Sequence, residues 1–267
     1  AVSLTYVPDD NFEQALIDLG YDDVLDNYVV TDSISGVTSL NVYSKSISDL
    51  TGIEAFVALN ELTCGTNPLG EVDLSNNTAL TSLSIGLSQL TSLDLSNNTS
   101  LTSLICHLNG LTSLDVSTNS ALTLLNCNSN QLTSLDVSTN SNLTQLICTN
   151  NSLTVLDIGG LSNLSTLRCD GNQLTNIDAT NNASLQILDA SANNIVSQGR
   201  NKVADGDNRK IRPDINLTED TNVNISKEMV NQIIAKSEFK ANVKVVEIAE
   251  SKRTYNFKVG LAGAAFL

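Results

Sequence analysis

A self-match at a constant shift constrains what this chain can fold into more than any other feature of it. Leu-Thr-Ser-Leu-Ile-Cys at 101–106, Leu-Thr-Leu-Leu-Asn-Cys at 122–127 and Leu-Thr-Gln-Leu-Ile-Cys at 143–148 are near-copies of one another, evenly spaced along the chain. A period of that length means a solenoid, because one such unit cannot bury its apolar face alone and must stack on its neighbours. Leading leucines fall at Leu62, Leu83, Leu104, Leu125, Leu146, Leu167 and Leu188, with Leu40 one slightly longer step earlier, which predicts about eight coils. A second half follows within each coil at Leu93, Leu114, Leu135, Leu156 and Ile177, so successive halves begin alternately ten and eleven positions apart. The first half reads L-x-x-L-x-C-x-x-N-x-L and the second L-x-x-L-D-(L/V)-S-x-N. Both carry the apolar alternation of a short strand and then an Asn where the chain must turn, so parallel strands are expected on both sides of the coils.

This pattern resembles the leucine-rich repeats, and among them the bacterial IRREKO type with its nested shorter and longer half-units. The resemblance spans residues 36–196. The segment Val7-Pro8-Asp9-Asp10-Asn11-Phe12-Glu13-Gln14-Ala15-Leu16-Ile17 resembles the N-terminal cap of secreted bacterial leucine-rich-repeat proteins. Residues 37–62, with Ile47, Leu50, Ile53 and Phe56, are similar to an internalin-type repeat leading from cap to array. A cap has a physical role whatever its relatives, since the first coil would otherwise show its leucines to water. A short amphipathic helix with Phe12, Ala15, Leu16 and Leu19 turned inward can close that end, N-capped by Asp9 or Asp10 and stopped at Gly20. The expected organisation is therefore a mostly β leucine-rich-repeat solenoid with a cap at 1–36, coils over 37–196, a linker at 197–214 and a small α+β unit at 215–267.

Charge marks the same boundary. Residues 1–196 hold 20 Asp and Glu against two basic residues, Lys45 and Arg168, whereas residues 197–267 hold 12 basic and nine acidic ones. A surface so acidic repels phosphate backbones and anionic lipid, which excludes nucleic acid as a partner of the array. The basic run Arg200, Lys202, Arg209, Lys210 and Arg212 reads as a solvated linker. No stretch approaches the ~20 apolar residues of a membrane-crossing helix, so no membrane insertion is expected, and Ala1 is compatible with a removed signal peptide.

Residues one period apart lie above one another at about 4.8 Å, so the repeat can be read as columns. Cys106, Cys127, Cys148 and Cys169 share one column with Cys64 and Ile85, which makes it a column of small buried hydrophobes. Side chains that point the same way do not form disulfides, five is an odd number, and a straight line of thiols offers no tetrahedral metal site. Asn67, Asn109, Asn130, Asn151, Asn172 and Asn193, interrupted by Ser88, form a second column suited to satisfying backbone groups at the turns. Asp73, Asp94, Asp115, Asp136, Asp157 and Asp178 form a third, flanked by Ser92/Ser96, Ser113/Ser117 and Ser134/Ser138. One flat column rarely supplies the six to eight oxygens of a Ca²⁺ site, so it reads as a solvated face that resists aggregation.

The second half is monotonous and the first is not. Outward positions on the first strand vary at every level, mixing the apolar Ile105, Leu124 and Ile147 with amides, the only His of the chain and one Arg. Repeats that only stack can stay identical, whereas a surface that reads a ligand needs different groups at different heights. Drift on an unconstrained face would also produce variety. The candidate contact residues are Ile105, His107, Asn126, Asn128, Gln145, Ile147, Arg168, Asp170 and Asp189, with Asp170 and Asp189 also able to pair internally with Arg168. In resembling proteins this strand lines the concave, ligand-facing sheet, which implies a secreted or cell-surface module that binds a protein or a glycan.

Catalysis finds no footing. There is one His, no Gly-rich phosphate loop follows a strand, and DGDN at 205–208 is only a fragment of a calcium loop. Neither cofactor nor metal is expected. Beyond the array, 226–239 reads as a helix and 243–249 and 254–261 as strands, a unit suited to attachment or to an assembly contact. The alternative to a binding module is accordingly a structural spacer or a component of a larger surface or virion assembly.

Overall fold

A computed structural model describes residues 2–195 and the strand Val223–Ile225. The expected linker and the helix and strands of the C-terminal unit lie outside the described residues. The chain opens with strand β1 (Leu4–Tyr6), helix α1 (Asp10–Asp18), strand β2 (Tyr28–Val30) and the short helix α2 (Thr31–Ile34). The solenoid follows as β3 (Ser39–Asn41), β4 (Glu61–Thr63), β5 (Ser82–Ser84), β6 (Ser103–Ile105), β7 (Leu124–Asn126), β8 (Gln145–Ile147), β9 (Thr166–Arg168), β10 (Ile177–Ala179) and β11 (Ile187–Asp189), with β12 at Val223–Ile225. Strands β3 to β9 and β11 form one eight-stranded parallel sheet. Its register aligns Leu40, Leu62, Leu83 and each later leading leucine through Leu188, so every leucine at this position lands in the core.

The second half-turns depart from the expected strands. On that side only β10 is a strand among the described residues, and it pairs in parallel with β12. The Asp column forms a turn at most of these coils. Asp73, Asp94, Asp115 and Asp136 each accept the backbone N–H two residues on, from Ser75, Ser96, Ser117 and Ser138, at 2.9 Å. The same local bond stands beside paired strands, from Thr180 N–H to Asp178 at β10 and from Ser191 N–H to Asp189 at β11, so it shapes the turn and does not by itself prevent pairing. What remains between coils at the entry to this half is single backbone bonds, such as Gln131 N–H to Leu111 O at 2.8 Å and Ser152 N–H to Leu132 O at 2.8 Å.

Two asparagine ladders hold the turns. In the expected one, Asn130 donates to Cys106 O and Cys127 O at 3.1 and 3.0 Å and accepts from Leu111 N–H at 3.1 Å. Asn151 and Asn172 repeat the arrangement. Where Ser88 interrupts the column, Leu69 N–H turns instead to Asn67 O at 2.8 Å. A second ladder, Asn77, Asn98, Asn119, Asn140 and Asn182, is fully buried on the other side, each amide donating to two backbone carbonyls.

At the N-terminal end, Asp9 caps α1 by accepting from Asn11 and Phe12 N–H, and Gly20 follows the helix at φ 79°. Phe12, Ala15 and Leu16 are buried against the first coil as expected, but Leu19 is exposed. Glu13 is buried in its place because its carboxylate accepts Asp26 N–H and Tyr28 N–H, both at 3.0 Å, and so holds the loop that leads into β2. Coil and cap meet closely at Gly52 (φ 105°), where a Cβ would stand 2.8 Å from Val7 Cγ2 and 2.9 Å from Tyr6 O.

Candidate functional site

The sheet places the candidate residues on one face. Register runs Ile105, Asn126, Ile147, Arg168, Asp189 across β6, β7, β8, β9 and β11, so these five form one continuous row. Gln145 opens β8 two residues before Ile147, and His107, Asn128 and Asp170 lie two residues beyond the row on their own coils. The row spans four strand spacings, about 19 Å, the length of one compact epitope. Strand alternation sends the leucines between them inward and leaves these side chains outward, half-buried or exposed.

Their surroundings differ in ways that matter. Arg168 is exposed and makes no ion pair among the described residues, where the one salt bridge joins Lys45 to Asp18 at 3.2 Å. The internal pairing open to Arg168 in sequence is therefore not made with either aspartate. Asp170 instead accepts from Thr149 Oγ1 at 2.8 Å, and Asp189 from the N–H and hydroxyl of Ser191 at 3.1 and 2.7 Å. Asn126 accepts Asn128 N–H at 3.2 Å, which fixes its amide. His107 is half-buried over Gly86, whose absent Cβ would stand 2.5 Å from His107 Cε1, and its Nδ1 is buried without a hydrogen-bond partner. That pairing was open to view in the sequence, since 86 and 107 occupy one column.

Leu87 and Leu108 extend the face beyond the residues singled out above. Each follows the small or ring-bearing position of its coil, is exposed, and has left-handed backbone at φ 57° and 53°. Asn150 and Gly171 occupy the same column, and they suit that conformation where leucine does not. Strained, exposed apolar side chains beside Ile105 and His107 add to a contact surface rather than to the core.

The cysteines lie directly beneath this face. All five are free and fully buried. Burial pushes the Cys64, Cys127 and Cys169 thiols up to about 12 and drives Cys106 and Cys148 well above the usual value. They are thus neither nucleophiles nor ligands near neutral pH. A thiol reagent at pH 8 is expected to label the native chain only slowly and to label five thiols at once on unfolding, and a native disulfide would contradict this.

On the opposite side, Asp73 and Asp94 lie below the ordinary carboxylate value because the backbone N–H and hydroxyl of Ser75 and Ser96 favour the ionised form. For Asp115 and Asp136 the hydroxyl and backbone N–H of Ser117 and Ser138 do the same. Of the flanking serines, it is the one that follows each Asp by two that donates. Among the described residues no group of three or more His, Cys, Asp or Glu is placed to hold a metal, and no helix is long and apolar enough to cross a membrane.

No protein-family model matches the chain. A 73-residue stretch is 39% identical to internalin J of Listeria monocytogenes serotype 4b (strain F2365), covering 27% of this chain and 8% of that protein. Among solved structures, a leucine-rich-repeat protein of Leptospira interrogans aligns over 59% of this chain and 41% of its own at 24% identity and a TM-score of 0.50. The functional domain of Listeria monocytogenes internalin J, which includes a cysteine ladder, aligns over 72% of this chain and 62% of its own at 26% identity and a TM-score of 0.46. The chain thus spans only a part of each of these relatives, and they are bacterial leucine-rich-repeat proteins.

Proposed function

We propose that this chain is a non-catalytic binding module, secreted or displayed at a cell surface, that recognises a protein through the variable face of its eight-stranded sheet. The observation that carries the reading is the contrast between the two sides of one solenoid. The Asp side repeats one Asx turn at nearly every coil, while the row Ile105, Asn126, Ile147, Arg168, Asp189 changes chemistry at each step. Half-buried aliphatics beside a guanidinium without an ion pair among the described residues have the make-up of a protein-contact patch, and Arg168 is a cation to which a partner's carboxylate can pair bidentately. A glycan would draw instead on Asn126, Asn128 and Gln145.

The division into cap, array, linker and C-terminal unit belongs to the same proposal. A structural role is supported by one feature, the pairing of β12, a strand from beyond the array, with β10 on the second side.

With a partner captured from the organism's surroundings, Arg168→Ala and Ile147→Ser are expected to weaken binding by roughly tenfold or more while leaving the fold intact. Asp115→Ser, on the monotonous side, serves as the control and should leave affinity unchanged. Equal binding by all three variants would put the structural role in front.

A further inference from the structure

The N-terminal cap carries a second surface whose chemistry does not suit an end exposed to water. Terminal units of a solenoid need a polar outer face, and the outer face of an exposed antiparallel pair is ordinarily polar. Here the reverse holds. Register sets Leu4 opposite Val30 and Tyr6 opposite Tyr28, and the inward residues Thr5 and Val29 are buried, so all four outward side chains are apolar or aromatic. Leu4 is 56% exposed, Tyr6 51%, Tyr28 45% and Val30 36%, and Val2 continues the row at 69%. Most of the large hydrophobics exposed among the described residues lie at or before Val30, so the exposure is concentrated at this end and not scattered over the array. The Tyr6 and Tyr28 rings lie 5.5 Å apart and tilted, a preset aromatic centre.

Charge identifies what covers this patch. Residues 1–44 contain eight Asp and Glu and no Lys, Arg or His. Asp26 and Asp32 bracket β2, with Asp26 held by its bond to Tyr28 N–H at 3.0 Å, and neither is buried. A second copy would bring one acidic rim against another, and nucleic acid or anionic lipid would be repelled in the same way. We infer that the outer face of the β1–β2 pair is a docking surface for a cationic, apolar segment of another protein, whose aliphatic or aromatic side chains cover Leu4, Tyr6, Tyr28 and Val30 while its Lys or Arg side chains meet Asp26 and Asp32. This surface is separate from the variable face and does not depend on what that face binds.

The test titrates the full chain with a labelled short peptide of alternating Lys and Leu, and with its Glu–Leu counterpart. The Lys–Leu peptide should bind at least tenfold more tightly. The double variant Tyr6→Ser/Tyr28→Ser should lose tenfold or more of that affinity, and Leu4→Ser/Val30→Ser repeats the test at neighbouring exposed positions should the first variant fold poorly. Asp26→Asn/Asp32→Asn should weaken binding severalfold, whereas Asp115→Asn/Asp136→Asn, an equal loss of charge on the array, should leave it unchanged. Equal weakening by the two aspartate pairs, or unchanged affinity in both apolar variants, would reduce the attraction to general charge and overturn the inference. Light scattering that shows a two-chain mass, restored to one chain by Tyr6→Ser/Tyr28→Ser, would assign the patch to a second copy and overturn it as well.

Discussion

Replacing Asp9 by alanine is expected to cost about 3 kcal/mol or more and to loosen the cap before the array. Five bonds meet at this buried carboxylate. Oδ1 accepts Asn11 N–H and Phe12 N–H at 3.0 and 2.9 Å, the N-cap of α1. Oδ2 accepts the N–H and hydroxyl of Ser48 at 2.8 and 2.7 Å and Asp49 N–H at 3.1 Å, which ties the cap to the first coil. Alanine leaves those donors without a partner in a largely buried site, and the loss of an N-cap alone costs about 1 kcal/mol. Asparagine preserves the cap through its Oδ1 but turns an amide N–H₂ toward three donors, so Asp9→Asn should fall between wild type and Asp9→Ala. Burial raises the Asp9 carboxyl, yet the donors from Ser48, Phe12 and Asp49 outweigh it and leave the carboxyl below its ordinary value of 3.8. A depressed carboxylate contributes stability that is fully present above the unfolded value and is lost as pH falls through the folded one. Urea melts should therefore show a gap between wild type and Asp9→Ala that is constant near neutral pH and narrows below about pH 4. A gap independent of pH would show that the cap does not rest on this charge.

Asn130→Leu should cost about 3 kcal/mol, whereas Asn140→Leu, at a comparably buried amide, should cost about half as much. The two ladders differ in how fully their amides are used. Asn130 donates to Cys106 O and Cys127 O and also accepts Leu111 N–H, so leucine there breaks three bonds and strands the Leu111 N–H, while the two carbonyls keep Asn109 and Asn151. Asn140 donates to Val116 O and Asn119 O at 3.0 and 2.9 Å, but its Oδ1 is buried and has no partner. Leucine at that position gives up two bonds and also removes an unsatisfied oxygen. The chain itself carries the substitution once, because Leu161 occupies the column between Asn140 and Asn182, is buried, and still closes its turn through Leu164 N–H to Leu161 O at 3.0 Å. Thermal melts of the two single variants against wild type measure the difference. Equal losses would mean that packing volume at the turns, not hydrogen bonding, sets their cost.

Periodicity made the array legible because each column has one environment. A leucine recurring once per coil can only be core, and a Cys that alternates with Ile85 can only be a small hydrophobe. The second asparagine ladder stands in the same sequence as the S-x-N of each second half, and reading Asn77, Asn98, Asn119 and Asn140 as a column finds it. Alternation on the second side does not make strands of most of its half-turns among the described residues. The alternation is present, but coils there are joined by single backbone bonds such as Gln131 N–H to Leu111 O, and alternation does not show which backbone groups pair. Within the candidate face, the outward positions follow from the strand period and the seating of His107 on Gly86 from their shared column, while the lack of an ion pair at Arg168 among the described residues does not follow from spacing. The cap is least legible. A helical period places Leu19 inward, where the structure leaves it exposed, and does not show Glu13 buried, which the loop before β2 achieves by donating two backbone N–H groups to its carboxylate.

The variable face is tested most directly by hydroxyl-radical footprinting of the chain alone and bound to its captured partner. Ile105, Leu108 and Ile147 report on the variable face, and Val155, 71% exposed on the second side, is a built-in control. Binding should lower oxidation of the first three severalfold and leave Val155 unchanged. Protection of Val155 with Ile105, Leu108 and Ile147 unaltered would contradict the assignment of the contact surface to the eight-stranded sheet.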